Sequence, residues 1–241
     1  MNAQTQHARN GRLHLALLAL PLLALLLLIP MTALAHGVSA RDAGYVANVR
    51  GAHFWPFLYL GAKHMVTGYD HLLYLAGVVF LLQRLKDVAI YATLFALGHS
   101  ITLLGAVMAG WHANTYLVDA VIGLSVVYKG FENIGGWRKL HWKLDARAAV
   151  LGFGLVHGLG LATKLQDLSL SRNGLLPNLV AFNVGVEVGQ VLALTVIVLL
   201  FALWRRTAGF PRAIYPANLA LICAGFVLFG LQLSGWLMGA S

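Results

Sequence analysis

The sequence predicts an all-α polytopic membrane protein, a bundle of six transmembrane helices that follows an N-terminal signal segment. Three observations predict this class. Of the 241 residues, 59% are hydrophobic and only 10% are charged, whereas a soluble domain carries about 25% charged residues. The mean hydropathy is +0.76, and apolar runs long enough to cross about 30 Å of hydrocarbon recur along the chain. Basic residues are concentrated in the short segments that join these runs.

The first 35 residues resemble a secretory signal. Arg9 and Arg12 precede an apolar core over 13–29, and Ala33-Leu34-Ala35 forms a small-x-small cleavage site. The apolar core exceeds the usual length of about 7 to 15 residues, so an uncleaved first helix is the alternative. In either case residues 36–56 are predicted to form a periplasmic N-terminal segment.

The region 57–237 is predicted to form the six-helix transmembrane domain. At about 1.5 Å per residue, each of its apolar runs spans a bilayer. The runs cover approximately 57–82, 88–110, 115–134, 148–165, 178–203 and 213–237.

The loops indicate the orientation of these spans. Loops 83–87, 135–147 and 204–212 are rich in Lys and Arg, whereas loop 111–114 has neither and loop 166–178 has one Arg. By the positive-inside rule this alternation places both mature termini in the periplasm and the chain in a bacterial inner membrane.

The net charge of +9 does not indicate a nucleic-acid partner. The basic residues lie in the interspan segments and form no stripe or reading motif. We therefore interpret them as topology signals and contacts with anionic membrane lipid.

Ionisable residues inside the predicted spans indicate a site. Each costs roughly 2.5 to 3.5 kcal/mol on insertion scales, so a group of them is a functional hypothesis. They come from four spans and lie between the midplane and the periplasmic side. The predicted metal ligands are His64, Asp70, His71, His99, His157 and Glu187.

Helical phase relates several of these groups. In a continuous helix His64 and His71 differ by about 700°, so both point from one face. Asp70 lies about 100° from His71, which suits a partner that orients the imidazole, or a ligand if the helix is distorted at Gly68. Glu187 is predicted to share one face with Asn183 and Gln190.

Four further polar residues are predicted to support the site. Ser100 adjoins His99, and Asp119 lies near the outer end of the third span, at the mouth of a pathway or as a favourable charge at a helix N-terminus. Asn183 and Gln190 complete the set. The glycines at 152, 154, 158 and 160 are interpreted as close-packing positions, with a local break of the helix as the alternative.

The donor types favour a divalent transition metal. Neutral imidazoles with carboxylates suit Ni(II), Co(II), Zn(II) or Fe(II), and the ligand types alone do not distinguish among them. A single cysteine, Cys223, excludes a thiolate cluster. For each histidine taken singly, an interhelical hydrogen bond is the alternative role.

At this point the residues carry a family resemblance. Five segments follow one another in this order: GAKHMVTGYDHLLYL, LFALGHSITLL, IGLSVVYKGFEN, GFGLVHGLGLA and FNVGVEVGQ. Together they resemble the ordered motifs of the HupE/UreJ family of hydrogenase and urease accessory membrane proteins. The resemblance implies a nickel or related divalent-metal permease, or a metal-supply factor for metalloenzyme maturation. It implies site positions at His64, Asp70, His71, His99, His157, Asn183, Glu187 and Gln190. A more distant similarity exists to nickel/cobalt transporters, whose corresponding histidine stands one residue closer to Asp-His.

The expected function is transport or supply of a divalent metal rather than catalysis. In this hypothesis a cation enters from the periplasm, exchanges water for histidine and carboxylate ligands, and moves inward after a helix rearrangement. Two rival classes use the same residue types. One is an intramembrane metal-dependent hydrolase with a carboxylate base; the other is a haem-binding protein with axial histidines.

Overall fold

The computed structural model describes residues 44–46, 48–167 and 173–239, and all regular structure in that part of the chain is helical. The all-α prediction is confirmed for these residues. The predicted signal segment 1–35 lies outside them, as do residues 36–43 and 47 of the predicted periplasmic segment. The principal helices are α1 (Phe54–Thr67), α2 (Tyr69–Val79), α3 (Leu85–Ala109), α4 (Thr115–Asn133), α5 (Gly136–Lys139), α6 (Ala146–Asp167), α7 (Leu175–Arg205) and α8 (Phe210–Leu237).

Four of the described helices are long and apolar enough to cross a membrane: α3, α6, α7 and α8. They make the chain a membrane protein. Helix α4 has 19 residues but carries three charged side chains, Asp119, Lys129 and Glu132, and it is not one of these four. The count of six spans stays a prediction.

The first predicted span, 57–82, is not one continuous helix, and it is interrupted at Gly68, the residue at which helix distortion is one of the alternatives drawn from the sequence. Helix α1 ends at Thr67, α2 begins at Tyr69, and Gly68 between them has an extended backbone with φ −73° and ψ 105°. Glycine is a poor helix former. A Cβ at Gly68 would lie 2.5 Å from Nδ1 of His71, so the absence of a side chain lets the two helices meet over the site.

The long helices pack in pairs: α1 with α7, α3 with α6, and α4 with α8. In the α3/α6 pair, Gly154 faces the backbone of Phe95 and Gly158 faces the backbone of His99. Thr102 Oγ1 also donates a hydrogen bond of 2.7 Å to the Leu155 carbonyl. Small residues allow this close approach in membranes, and it brings His99 and His157 near each other.

The other predicted packing glycines behave differently from one another. A Cβ at Gly160 would lie 3.0 Å from Val118 of α4, so Gly160 also serves close packing. Gly152 has open space at that position, with nothing within 4 Å. The alternative of a break in α6 is not what the structure shows, because α6 is continuous through all four glycines.

Helix α2 is short and contacts α1, α4, α7 and α8. Side chains from two neighbours, α4 and α7, donate hydrogen bonds to its C-terminal end. Asn133 Nδ2 donates 2.8 Å hydrogen bonds to the Gly77 carbonyl and to Asn218 Oδ1. Arg205 donates to the Val79 and Phe80 carbonyls at 2.6 and 2.7 Å, which satisfies helix-terminal acceptors. These bonds place the N-terminal turn of α2, with Asp70 and His71, inside the bundle.

Candidate metal centre

Histidines from three other helices surround His71 of α2. The ring centroid of His71 lies 5.0 Å from that of His64 on α1 and 5.0 Å from that of His157 on α6. The His99 ring on α3 is 6.3 Å away. The sequence prediction that His64 and His71 line one space agrees with this proximity, but its reasoning from a continuous helix does not, because Gly68 separates the two residues.

The core of this cluster is shielded from solvent. His71 is 4% exposed, and His99 and His157 are each 1% exposed. Aromatic rings surround the imidazoles: Phe95 lies 5.0 Å from His157 and Tyr74 lies 5.7 Å from it. Polar groups in such a dry setting carry a high cost unless they are paired or hold a ligand.

Asp70 orients His71. Nδ1 of His71 donates to Oδ1 of Asp70 at 2.9 Å, and both residues are buried. The carboxylate accepts the Nδ1 proton, so Nε2 keeps its lone pair. This contact corresponds to the first of the two predicted roles for Asp70, a partner that fixes the imidazole.

His157 is oriented in a parallel way by backbone. Its Nδ1 lies 2.8 Å from the Phe153 carbonyl, one turn earlier in α6. A carbonyl oxygen only accepts hydrogen bonds, so Nδ1 carries the proton and Nε2 has the lone pair. Metal-bound histidines almost always have this pattern, in which the second ring nitrogen donates to a carboxylate or carbonyl.

His71, His99 and His157 each keep one ring nitrogen for coordination, because a neutral imidazole has a single lone-pair nitrogen. Among the residues that the structure describes, neither Nε2 of His71, Nε2 of His157 nor either nitrogen of His99 has a hydrogen-bond partner. A buried polar atom without a partner costs about 1 to 3 kcal/mol. The alternative that these histidines serve only as interhelical hydrogen-bonding groups therefore does not account for their Nε2 atoms.

Asp70, His71 and His157 satisfy the distance requirement for a shared ion. One ligand atom from each can be chosen so that all three lie within 4.8 Å of one another. Nitrogen ligands bind at about 2.1 Å from a metal, so small side-chain rotations bring such a set to coordination distance. Two imidazoles with a carboxylate beside them suit borderline divalent metals.

The amides predicted to support the site lie beside the cluster's helices. Asn183 Nδ2 donates to Ser100 Oγ at 2.9 Å, and Gln190 Nε2 donates to the Ala92 carbonyl at 2.9 Å. Both contacts join α7 to α3, the helix that carries His99. The structure thus places Ser100, Asn183 and Gln190 in contacts that hold α3 against α7.

Glu187 is not brought to the cluster. Asn183 and Gln190 are buried, whereas Glu187 is exposed. The three residues lie within about 60° of one another around the helix axis, so Glu187 stands at the edge of the stripe that Asn183 and Gln190 bury. Helix α7 packs on α1 through Gly185 and Gly189, and this orientation leaves Glu187 exposed.

Asp119 forms an ion pair. Lys164 Nζ on α6 donates to its two carboxylate oxygens at 3.0 and 2.7 Å. Sequence reasoning missed Lys164, although its position seven residues after His157 puts both on one face of α6. It also missed Tyr74, whose signal was its place one turn after His71.

Comparison with known proteins agrees with the motifs. The family model described as HupE / UreJ protein matches residues 40–240. The chain belongs to the HupE/UreJ family. The resemblance drawn from the motifs is confirmed, and membership makes the chain, in general terms, a nickel or metal accessory membrane protein. No curated protein and no solved structure matches the chain significantly.

Proposed function

We propose that this HupE/UreJ protein is an inner-membrane permease or supply factor for a divalent transition metal, with nickel, cobalt or zinc as the cargo and with metalloenzyme maturation as its use. In this proposal the cargo binds to Nε2 of His71 and Nε2 of His157. His99 and His64 are adjacent ligands, and Asp70 holds His71 in the required tautomer.

One observation carries the proposal. Two buried histidines on different helices each donate Nδ1 to an acceptor, at 2.9 and 2.8 Å, and their rings lie 5.0 Å apart. This is the arrangement that orients histidine ligands toward a shared metal. A purely structural pair would be expected to use Nε2 in a hydrogen bond as well.

The position of the ligands supports a passing rather than a resident ion. They come from four helices, and α2 is a short element joined to α1 through a single extended residue at Gly68. Relative movement of helices changes the ligand spacing and releases the cargo. A closed tetrahedral site on rigid supports would instead retain zinc as a structural ion.

The direct test is metal binding by the purified full chain in detergent. Co²⁺ is the probe, because its visible absorption reports ligation by histidine, and Ni²⁺ is then used in competition. Wild type is expected to bind, and His71→Ala and His157→Ala to lose at least about tenfold in affinity, the lower end of the range for loss of a metal-site partner. His112→Ala is the matched control, because His112 is exposed.

Reconstitution separates transport from supply. Sealed proteoliposomes that contain an internal metal indicator are expected to accumulate Ni²⁺ or Co²⁺ if the chain is a permease. Binding without accumulation would identify a supply factor. Unchanged binding in both His71→Ala and His157→Ala would refute the proposed site.

A further inference from the structure

An ion pair between Asp119 of α4 and Lys164 of α6 lies near the histidine cluster. Lys164 Nζ contacts Asp119 at 2.7 Å, and the two side chains are only 11% and 18% exposed for aspartate and lysine respectively. Ionisable groups within membrane helices are costly and mark pathways for ions. The histidine site does not use this pair.

The pair and the cluster share one face of α6. Lys164 follows His157 by seven residues, about 10 Å along the axis and nearly two full turns. Gly160 lies between them, and a Cβ there would be 3.7 Å from Oδ1 of Asp119. The carboxylate therefore lies against α6 about one turn from His157, between the cluster and the end of the helix.

The backbone around the pair is fixed. Thr163 Oγ1 accepts a 3.3 Å hydrogen bond from the Ala113 N–H, and Gln166 Nε2 donates to the Trp111 carbonyl at 3.0 Å. These contacts tie the C-terminal end of α6 to the segment that precedes α4. Opening the pair thus requires motion of the flexible Lys164 side chain, whose ammonium can extend toward the helix end.

We propose that Asp119 is an outer cation-binding group and that Lys164 is its tethered cation, which only a divalent ion displaces efficiently. This inference rests on the proposed function of the histidine cluster. A lysine ammonium carries one charge and is held next to the carboxylate by the chain. A monovalent ion offers no stronger attraction, whereas a divalent ion doubles the Coulomb energy at the same distance.

Selection in this scheme precedes coordination by histidine. The pair admits divalent cations to the buried imidazoles and excludes sodium and potassium. Imidazole ligands then discriminate among divalent ions, favouring transition metals over calcium and magnesium. Lys164 and Asp119 are specificity-determining residues in this sense, and the metal does not bind both sites at once.

The experiment measures the rate of cobalt arrival, which is the rate at which Co²⁺ binds to the histidines. Full-length protein in detergent is mixed with Co²⁺ in a stopped-flow instrument, and the visible bands of histidine-bound cobalt are followed with and without excess Na⁺. The variants are Lys164→Gln, Asp119→Asn and the double variant that removes both charges. Asp167→Asn is the matched control, because this exposed carboxylate lies at the same end of α6, 4.0 Å from His112.

Lys164→Gln is expected to accelerate cobalt arrival about tenfold or more, at the low end of electrostatic effects on association rates. It should also make arrival sensitive to Na⁺, since the tethered competitor is gone. Asp119→Asn is expected to slow arrival by a similar factor while the final cobalt stoichiometry stays that of wild type. Asp167→Asn should match wild type.

The double variant guards against misfolding caused by removing only one charge of a buried ion pair. It is expected to fold and to show no discrimination by the pair, with Na⁺ having no effect. Equal rates in Asp119→Asn and Asp167→Asn, or a Lys164→Gln rate that equals wild type, would overturn this inference alone. If wild type itself develops no histidine–cobalt bands, the proposed function fails and this inference fails with it.

Discussion

His71 of α2 and His157 of α6 meet edge to face, with ring centroids 5.0 Å apart and each Nδ1 committed to a separate acceptor. One acceptor is the Asp70 carboxylate and the other is the Phe153 carbonyl. The two rings are therefore oriented by different acceptors, a side chain on α2 and the backbone of α6. This difference makes their contributions separable by mutation.

Asp70→Asn tests whether the aspartate orients His71 or binds the metal itself. An amide oxygen still accepts a hydrogen bond but without the charge, so metal affinity should fall about 10- to 100-fold, as for other groups that hydrogen-bond to a metal-binding histidine. The positions of the cobalt visible bands should stay those of wild type. Changed band positions would indicate that Asp70 is a direct ligand, contrary to the hydrogen bond in the structure.

Gly68→Ala tests the break between α1 and α2. A Cβ at this position would lie 2.5 Å from His71 Nδ1 and 3.1 Å from Asp70 Oδ1, so the site must shift to accept it. We expect a large loss of cobalt affinity together with a destabilisation of about 1 to 3 kcal/mol, typical of overpacking. The measurements are cobalt titration and thermal unfolding in detergent.

The control for that variant is Gly105→Ala in α3, where a Cβ meets nothing within 4 Å. It should retain wild-type cobalt affinity, because it adds only a methyl group in open space. Equal losses in the two alanine variants would argue against a specific role for Gly68.

Glu187→Gln tests the one predicted ligand that lies away from the cluster. Since Glu187 is exposed, the equilibrium affinity for Co²⁺ should change by less than about twofold, within the usual small effect of surface substitutions. His99→Ala, which alters a buried imidazole, is the comparison. A loss in Glu187→Gln as large as that in His99→Ala would show that α7 turns this carboxylate inward when metal binds.

Lys129→Met tests the ion pair at the other end of α4. Lys129 is 7% exposed and donates to Glu132 at 2.7 Å. Because the side chain of Glu132 is 25% exposed, the loss of its partner should cost about 1 to 3 kcal/mol, between the values for an exposed and a buried pair. Thermal unfolding should show the loss, and Lys129→Met/Glu132→Gln should recover most of it. A double variant no more stable than the single one would contradict this account.

The sequence alone determined the class of the protein and the chemistry of its site. Apolar runs, basic loops and five ordered motifs predict a membrane protein of the HupE/UreJ family, and residue type alone predicts His71, His99 and His157 as polar groups in dry surroundings. These properties follow from residue types and their spacing along the chain, which can be read without knowing how the helices pack.

Only the tertiary structure decided which groups meet. The break at Gly68 depends on Asp70 and His71 folding over a residue without a side chain, and the rotation of α7 that leaves Glu187 exposed depends on its packing against α1. Asp119 pairs with Lys164, 45 residues away in the chain, and no helical periodicity relates the two residues. Contacts between helices are set by the fit of whole surfaces, and periodicity within one helix describes only one side of each contact.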